Sequence, residues 1–147
     1  MKIMFVCTGN TCRSPLAHAF MLDLLGKMNM KNIEVDSAGI GCNFGDPIST
    51  NSQEVLKENG IEFEHTSKPI SLEDIKESDY IICMTKSHKM MLSAFAPKEK
   101  LFCIDDITHD GDVIDPYGRD LDTYRKTGEQ IKNAVEKIAL FIQNNKK

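Results

Sequence analysis

No apolar run in this sequence comes near the roughly 18 residues that a membrane-spanning helix needs. Its 147 residues also show no internal repeat, low-complexity tract or linker-like stretch. Positive charge is not in surplus either. Eighteen Lys and Arg face 22 Asp and Glu, for a net charge of −4, which disfavours nucleic acid and anionic membrane as general partners. The opening MKIMFVCTGN lacks the longer apolar region and small-residue cleavage site of a secretory signal. Cys7 and Cys12, at C-x4-C, could be half a metal site, but no second ligand pair at zinc spacing appears, and an odd count of five cysteines without an export signal suits free thiols in a reducing compartment. The expectation is a cytoplasmic protein without metal or cofactor.

What is there reads as one ordinary globular domain over 1–147, since 41% of residues are hydrophobic and 27% charged. KIMFVC is a short buried strand ending at a Gly-containing loop. Ser14 and Pro15 then start a helix, Ser as its cap and Pro in its first turn, and Leu16, Phe20 and Leu24 lie on its apolar side. A second strand spans 33–38, followed by a loop over 39–47 and a helix over about 49–59 that ends at Gly60. A short helix over 71–78, a strand over 80–84, a helix over 86–95 and a strand over 101–104 follow. A C-terminal amphipathic helix carries Tyr124, Gly128, Ile131, Val135, Ile138 and Ile142. Strands alternating with helices imply crossover connections, a parallel sheet and a three-layer α/β/α domain.

Open parallel sheets bind ligands at the carboxyl ends of their strands, and residues 7–14, CTGNTCRS, occupy such an end. Amides in a tight loop running into a helix N-terminus attract an anion. Arg13 adds a planar fork for two oxygens of a tetrahedral oxyanion. That field favours thiolate, so Cys7 reads as a nucleophile facing a bound phosphate. The plainer alternative is a buried cysteine acting as a small hydrophobe. Asp115-Pro116-Tyr117-Gly118 alone reads as a type I turn. A cysteine-dependent phosphatase also needs an acid for its leaving group and then a base for water, and a carboxyl on such a loop suits both steps.

FVCTGNTCRSP, DSAG at 36–39, MTKSH at 84–88 and DPYG at 115–118 together resemble the low-molecular-weight protein tyrosine phosphatases across nearly the whole chain. The resemblance implies a phosphotyrosine phosphatase I-like fold with a four-stranded parallel sheet. It implies Cys7 as nucleophile, Arg13 as phosphate and transition-state clamp, and Asp115 as general acid and then base. Thr8, Gly9, Asn10, Thr11, Cys12, Arg13 and Ser14 would bind the phosphate. Asn10 would brace the loop, Ser14 would donate to Cys7, and Ser37 and His65 would support Asn10. The alternatives are that Ser37 merely ends the second strand and that His65 is a turn residue. Cys12 would form a protective disulfide with the nucleophile or simply fill space beneath the loop.

Phe44 and Tyr117 would sandwich a phenyl ring, or else serve as a loop anchor and an exposed turn residue. Many tyrosine-specific members carry a bulky aliphatic residue where this chain has Thr11, and the loop also resembles the protein-arginine phosphatase branch. Phosphotyrosine is therefore the first substrate reading and phosphoarginine the second. A thioredoxin-coupled arsenate reductase is the third, and it lacks a companion cysteine for Cys83 within 85–95. Cys83 and Cys103 read as core, and Cys42 has no assigned role. Expected partners are phosphorylated proteins, with inorganic phosphate as product and the chain acting as a monomer.

Overall fold

Alternating side-chain direction along the first strand, β1 (Lys2–Cys7), sets the layers of the domain. Ile3, Phe5 and Cys7 point to one face of the sheet and Met4 and Val6 to the other, all essentially without solvent contact. The computed structural model describes residues 1–145, so residues 146 and 147 of the expected single domain lie outside the description. In chain order the elements are β1, α1 (Arg13–Lys27), β2 (Glu34–Gly39), α2 (Thr50–Glu58), α3 (Leu72–Glu77), β3 (Tyr80–Cys83), α4 (Lys86–Leu92), β4 (Leu101–Cys103), α5 (Ile104–Thr108) and α6 (Leu121–Asn145). One 3₁₀ turn at Lys98–Lys100 precedes β4.

All strand pairs are parallel and the order is β2-β1-β3-β4, so the expected α/β/α sheet is present. The chain leaves β1 for β2 on one side and returns to β3 on the other. The carboxyl end of β1 is therefore the point where the winding reverses, which is where ligand crevices open in such sheets. On the Ile3–Phe5 face, Leu16 and Phe20 of α1 pack with Ile131, Val135 and Ile138 of α6. On the other face, Met4, Val6 and Ile81 meet Ile75 of α3 and Leu92 of α4. No helix among the described residues is long and apolar enough to cross a membrane.

Several helix ends follow their local chemistry. Ser49 accepts from the amide of Ser52, Ser71 and Asp74 form a capping box, and Gly60 takes a φ of +73° just past α2. The α1 start differs from expectation. The helix begins at Arg13 behind Cys12, no side chain caps it, and the Ser14 hydroxyl turns instead to Cys7. The five-residue α5 differs from expectation too, because Ile104, the last apolar residue of the expected 101–104 strand, is already its first residue.

Candidate active site

The loop between β1 and α1 is held from outside by its carbonyl groups. The carbonyl of Cys7 accepts from Ile40 N at 2.9 Å, that of Thr8 from Gly41 N at 3.1 Å, and that of Thr11 from Ser49 N at 2.9 Å. Asn10 O meets His65 Nε2 at 2.8 Å, and Cys12 O accepts from Ser52 Oγ at 3.4 Å. In a planar trans peptide the next N–H points the opposite way. Outward carbonyls therefore turn the amides of Thr8, Gly9, Thr11, Cys12 and Arg13 inward, and these five residues line a cavity of about 310 Å³. Such a ring of amides at a helix start attracts an anion.

Cys7 is at the floor of that cavity, with its Sγ 2.9 Å from Ser14 Oγ and 3.3 Å from the amide of Asn10. Ser14 Oγ accepts from Asn10 Nδ2 at 2.8 Å, which leaves the hydroxyl hydrogen to donate to sulfur. Asn10 is fully buried, holds a left-handed φ of +53° and accepts from Lys68 N on Oδ1 at 3.0 Å. Its side chain thus ties the loop to the 65–68 segment while its amide faces the thiol. Of the two residues expected to support Asn10, His65 does so directly. Ser37 does not: its Oγ is 3.0 Å from His18 Nδ1. Position 18 lies one helical turn past Ser14 and intercepts that hydroxyl. Burial pushes His18 down to about 4, so it is neutral at pH 7.

Arg13 is buried and fixed by the 113–115 segment. Its Nη1 donates to Val113 O at 3.0 Å and its Nη2 lies 3.6 Å from Asp115 Oδ2. Its Nε is buried without a hydrogen-bond partner among the described residues, a donor left for an anion. Asp115 Oδ1 accepts from Tyr117 N at 3.0 Å, and its side chain is 51% exposed at the cavity mouth. The turn differs from expectation here. Arg119 N bonds to Pro116 O, with Gly118 at φ +77° in third place, so the tight turn spans 116–119 and Asp115 precedes it. That offset points the carboxylate back at Arg13.

The mouth separates the two expected aromatic walls. Tyr117 lines the cavity, whereas Phe44 is 80% exposed and does not. Ser67 accepts from Asp46 N and donates to Asn43 O, and Gly45 takes a φ of +93°. This turn presents Asn43 and Asp46 to the cavity and leaves Phe44 beyond its lining. Thr11 lines the cavity as well. Cys12 Sγ contacts Tyr124 Oη of α6 at 3.4 Å, and burial together with that thiol pushes the phenol up to about 12. Cys42, unassigned by sequence, also lines the cavity, and burial and the nearby Cys7 raise its thiol. No group of three or more His, Cys, Asp or Glu side chains among the described residues is arranged to hold a metal ion.

A family model described as low molecular weight phosphotyrosine protein phosphatase matches residues 2–147. The chain belongs to that family. Among curated phosphatases of this kind, it is 36% identical to a protein-arginine-phosphatase of Geobacillus stearothermophilus, over 97% of this chain and 96% of that one. It is 34% identical to the low molecular weight protein-tyrosine-phosphatase PtpB of Staphylococcus haemolyticus, over 94% and 97%. Among solved structures, it resembles a mutant of YwlE arginine phosphatase carrying a phosphorylated active-site serine. That match has 30% identity and a TM-score of 0.93, and it covers 99% of this chain and 98% of that one. The low molecular weight protein tyrosine phosphatase of T. tengcongensis matches at 39% identity with a TM-score of 0.89, covering 95% and 98%.

Proposed function

We propose that this low molecular weight phosphatase hydrolyses phosphorylated protein side chains through a phosphocysteine on Cys7. The observation that carries the reading is Cys7 Sγ held between Ser14 Oγ and the Asn10 amide, at the floor of an amide-lined cavity walled by Arg13 and Asp115. The thiolate attacks phosphorus while protonated Asp115 gives its proton to the departing atom, the oxygen of a phosphoester or the guanidine nitrogen of phosphoarginine. The inward amides and the Arg13 fork neutralise the equatorial oxygens as charge shifts. Asp115, now a carboxylate, takes a proton from water. The hydroxide so formed breaks the S–P bond and releases inorganic phosphate. A relative with a phosphorylated active-site serine supports the covalent step. Cys7→Ser is expected to abolish turnover and keep inorganic phosphate binding. Turnover near wild type would refute the covalent route.

The first substrate reading is phosphotyrosine, supported by Tyr117 on the cavity wall and by the family's description. A second, phosphoarginine, is favoured by the Thr11 hydroxyl and by the Asp46 and Asp115 carboxylates, which suit a cationic guanidinium better than a phenyl ring. Two of the relatives carry that activity in their names. Measuring kcat/KM on matched phosphotyrosine and phosphoarginine peptides separates the readings. A phosphoarginine preference that collapses in Thr11→Ile selects the second, and a phosphotyrosine preference indifferent to that change selects the first. Arsenate reduction fits poorly, because burial raises the Cys83 thiol far above its usual range and makes it a poor relay. The five free thiols suit work in a reducing cytoplasm.

A further inference from the structure

Residues 84–88 carry β3 into α4 and bring an imidazole against the phosphate loop. Thr85 Oγ1 accepts from His88 N at 3.1 Å, which fixes the backbone of His88. The ring is buried, and its Nε2 lies 2.8 Å from Thr8 Oγ1, a contact spanning 80 residues of chain. Its Nδ1 is buried with no partner among the described residues. Burial and then the Arg13 guanidinium push the imidazole down to about 4 against the opposing pull of Asp112 and Asp115, so the ring is uncharged at neutral pH.

A neutral imidazole carries one N–H hydrogen. Placed on Nδ1, it would be a buried N–H with no acceptor. Placed on Nε2, it donates to Thr8 Oγ1 and leaves only a bare lone pair inside, which proteins tolerate more readily. The second arrangement frees the hydrogen of the Thr8 hydroxyl. Thr8 lines the cavity, and its methyl group is turned toward Gly41. A hydroxyl that already accepts one hydrogen bond is polarised into a better donor.

We propose that His88 is a positioning residue that, by donating to Thr8 Oγ1, aims the Thr8 hydroxyl as a side-chain donor to the phosphoryl group. This rests on the phosphatase reading of the cavity. The experiment measures inorganic phosphate Kd by calorimetry, together with KM and kcat on an aryl phosphate. It compares wild type, His88→Leu, Thr8→Val and the double variant, with His88→Gln and Thr8→Ser as conservative partners. Each disruptive single variant should raise phosphate Kd and KM about tenfold, the worth of one hydrogen bond to a charged group, with kcat changed less. The double variant should be no weaker than either single one, because both remove the same donor. Thr8→Ser should bind as wild type, and His88→Gln, which still offers an N–H, should restore most of the affinity.

Losses that multiply to about a hundredfold in the double variant, or an unchanged Kd in either single variant, would overturn the proposal. Should His88→Leu fail to fold, Thr8→Val against Thr8→Ser decides it, since equal Kd values would also overturn it. Wild type that binds phosphate but turns over no phosphorylated substrate fails the phosphatase reading, yet leaves the His88–Thr8 coupling readable in Kd.

Discussion

Replacing Asn10 with alanine removes the side chain that joins the nucleophile to the rest of the loop. Two hydrogen bonds go, Nδ2 to Ser14 Oγ at 2.8 Å and Oδ1 from Lys68 N at 3.0 Å. Each contributes about 1 kcal/mol net. Alanine must also hold the φ of +53° that asparagine tolerates, at a cost of about 1 kcal/mol. The sum is about 3 kcal/mol. For a domain of this size each kcal/mol lowers Tm by roughly 2–4 °C, so a drop of roughly 6–12 °C is expected. Activity should suffer separately. Without Asn10 Nδ2 nothing obliges Ser14 to point its hydrogen at Cys7, and losing a hydrogen bond to a charged group slows kcat about tenfold or more. Asn10→Gly also loses both hydrogen bonds but accepts the positive φ without strain, so it should melt closer to wild type than Asn10→Ala while losing comparable kcat. Reversible thermal unfolding and steady-state kinetics on both variants test this. A Tm for Asn10→Ala within about 2 °C of wild type, with unchanged kcat, would refute the reasoning.

Four further outcomes are expected. Asp115→Asn should lower kcat by about 10²–10⁴ for substrates with basic leaving groups and much less for an activated aryl phosphate; an equal loss across a leaving-group series would remove Asp115 from the acid role. Gly39→Ala should destabilise by about 1–3 kcal/mol, since its Cβ would lie 2.6 Å from Thr8 O and 2.7 Å from Cys42 Sγ, and an unshifted urea midpoint would contradict the packing. His18 and His88 both titrate near 4 in the fold against about 6.5 unfolded. The unfolded chain therefore takes up protons first, and stability that is full above about pH 6.5 should decline as pH falls toward 4; urea midpoints unchanged from pH 7 to 4.5 would exclude it. Mild peroxide should convert Cys7 to a sulfenic acid that the Cys12 thiol resolves to a disulfide with loss of water; mass spectrometry finding no Cys7–Cys12 linkage would count against this.

The strand, the loop and the helix that build the cavity were legible because their chemistry is local. An apolar run ends at glycine, and Cys7, Arg13 and Ser14 sit at spacings fixed by one turn. What escaped depended on contacts distant in sequence. Nothing near Ser37 indicates that His18 would take its hydroxyl, because that pairing arises from α1 lying beside β2. Phe44 looked like a pocket wall by its position, but Ser67, more than twenty residues away, sets the turn that faces it outward. Ser14 looked like a helix cap by its type. A thiol seven residues earlier outcompeted the backbone for its hydroxyl, and the helix start went uncapped. The Thr8–His88 contact joins two motifs whose relation appears only when β3 pairs with β1.

The placement of α6 bears on how the enzyme is made. Every reacting group has been synthesised once Asp115 has left the ribosome, yet part of the cover over Leu16 and Phe20, and the Tyr124 contact of Cys12, come from residues 121–145. A nascent chain stopped between those points holds a reactive thiol and a phosphate clamp on an α1 whose side toward α6 is still open to solvent. The final helix closes that side and places Tyr124 against the loop. The helix that completes the packing behind the catalytic loop thus contributes no reacting atom to it.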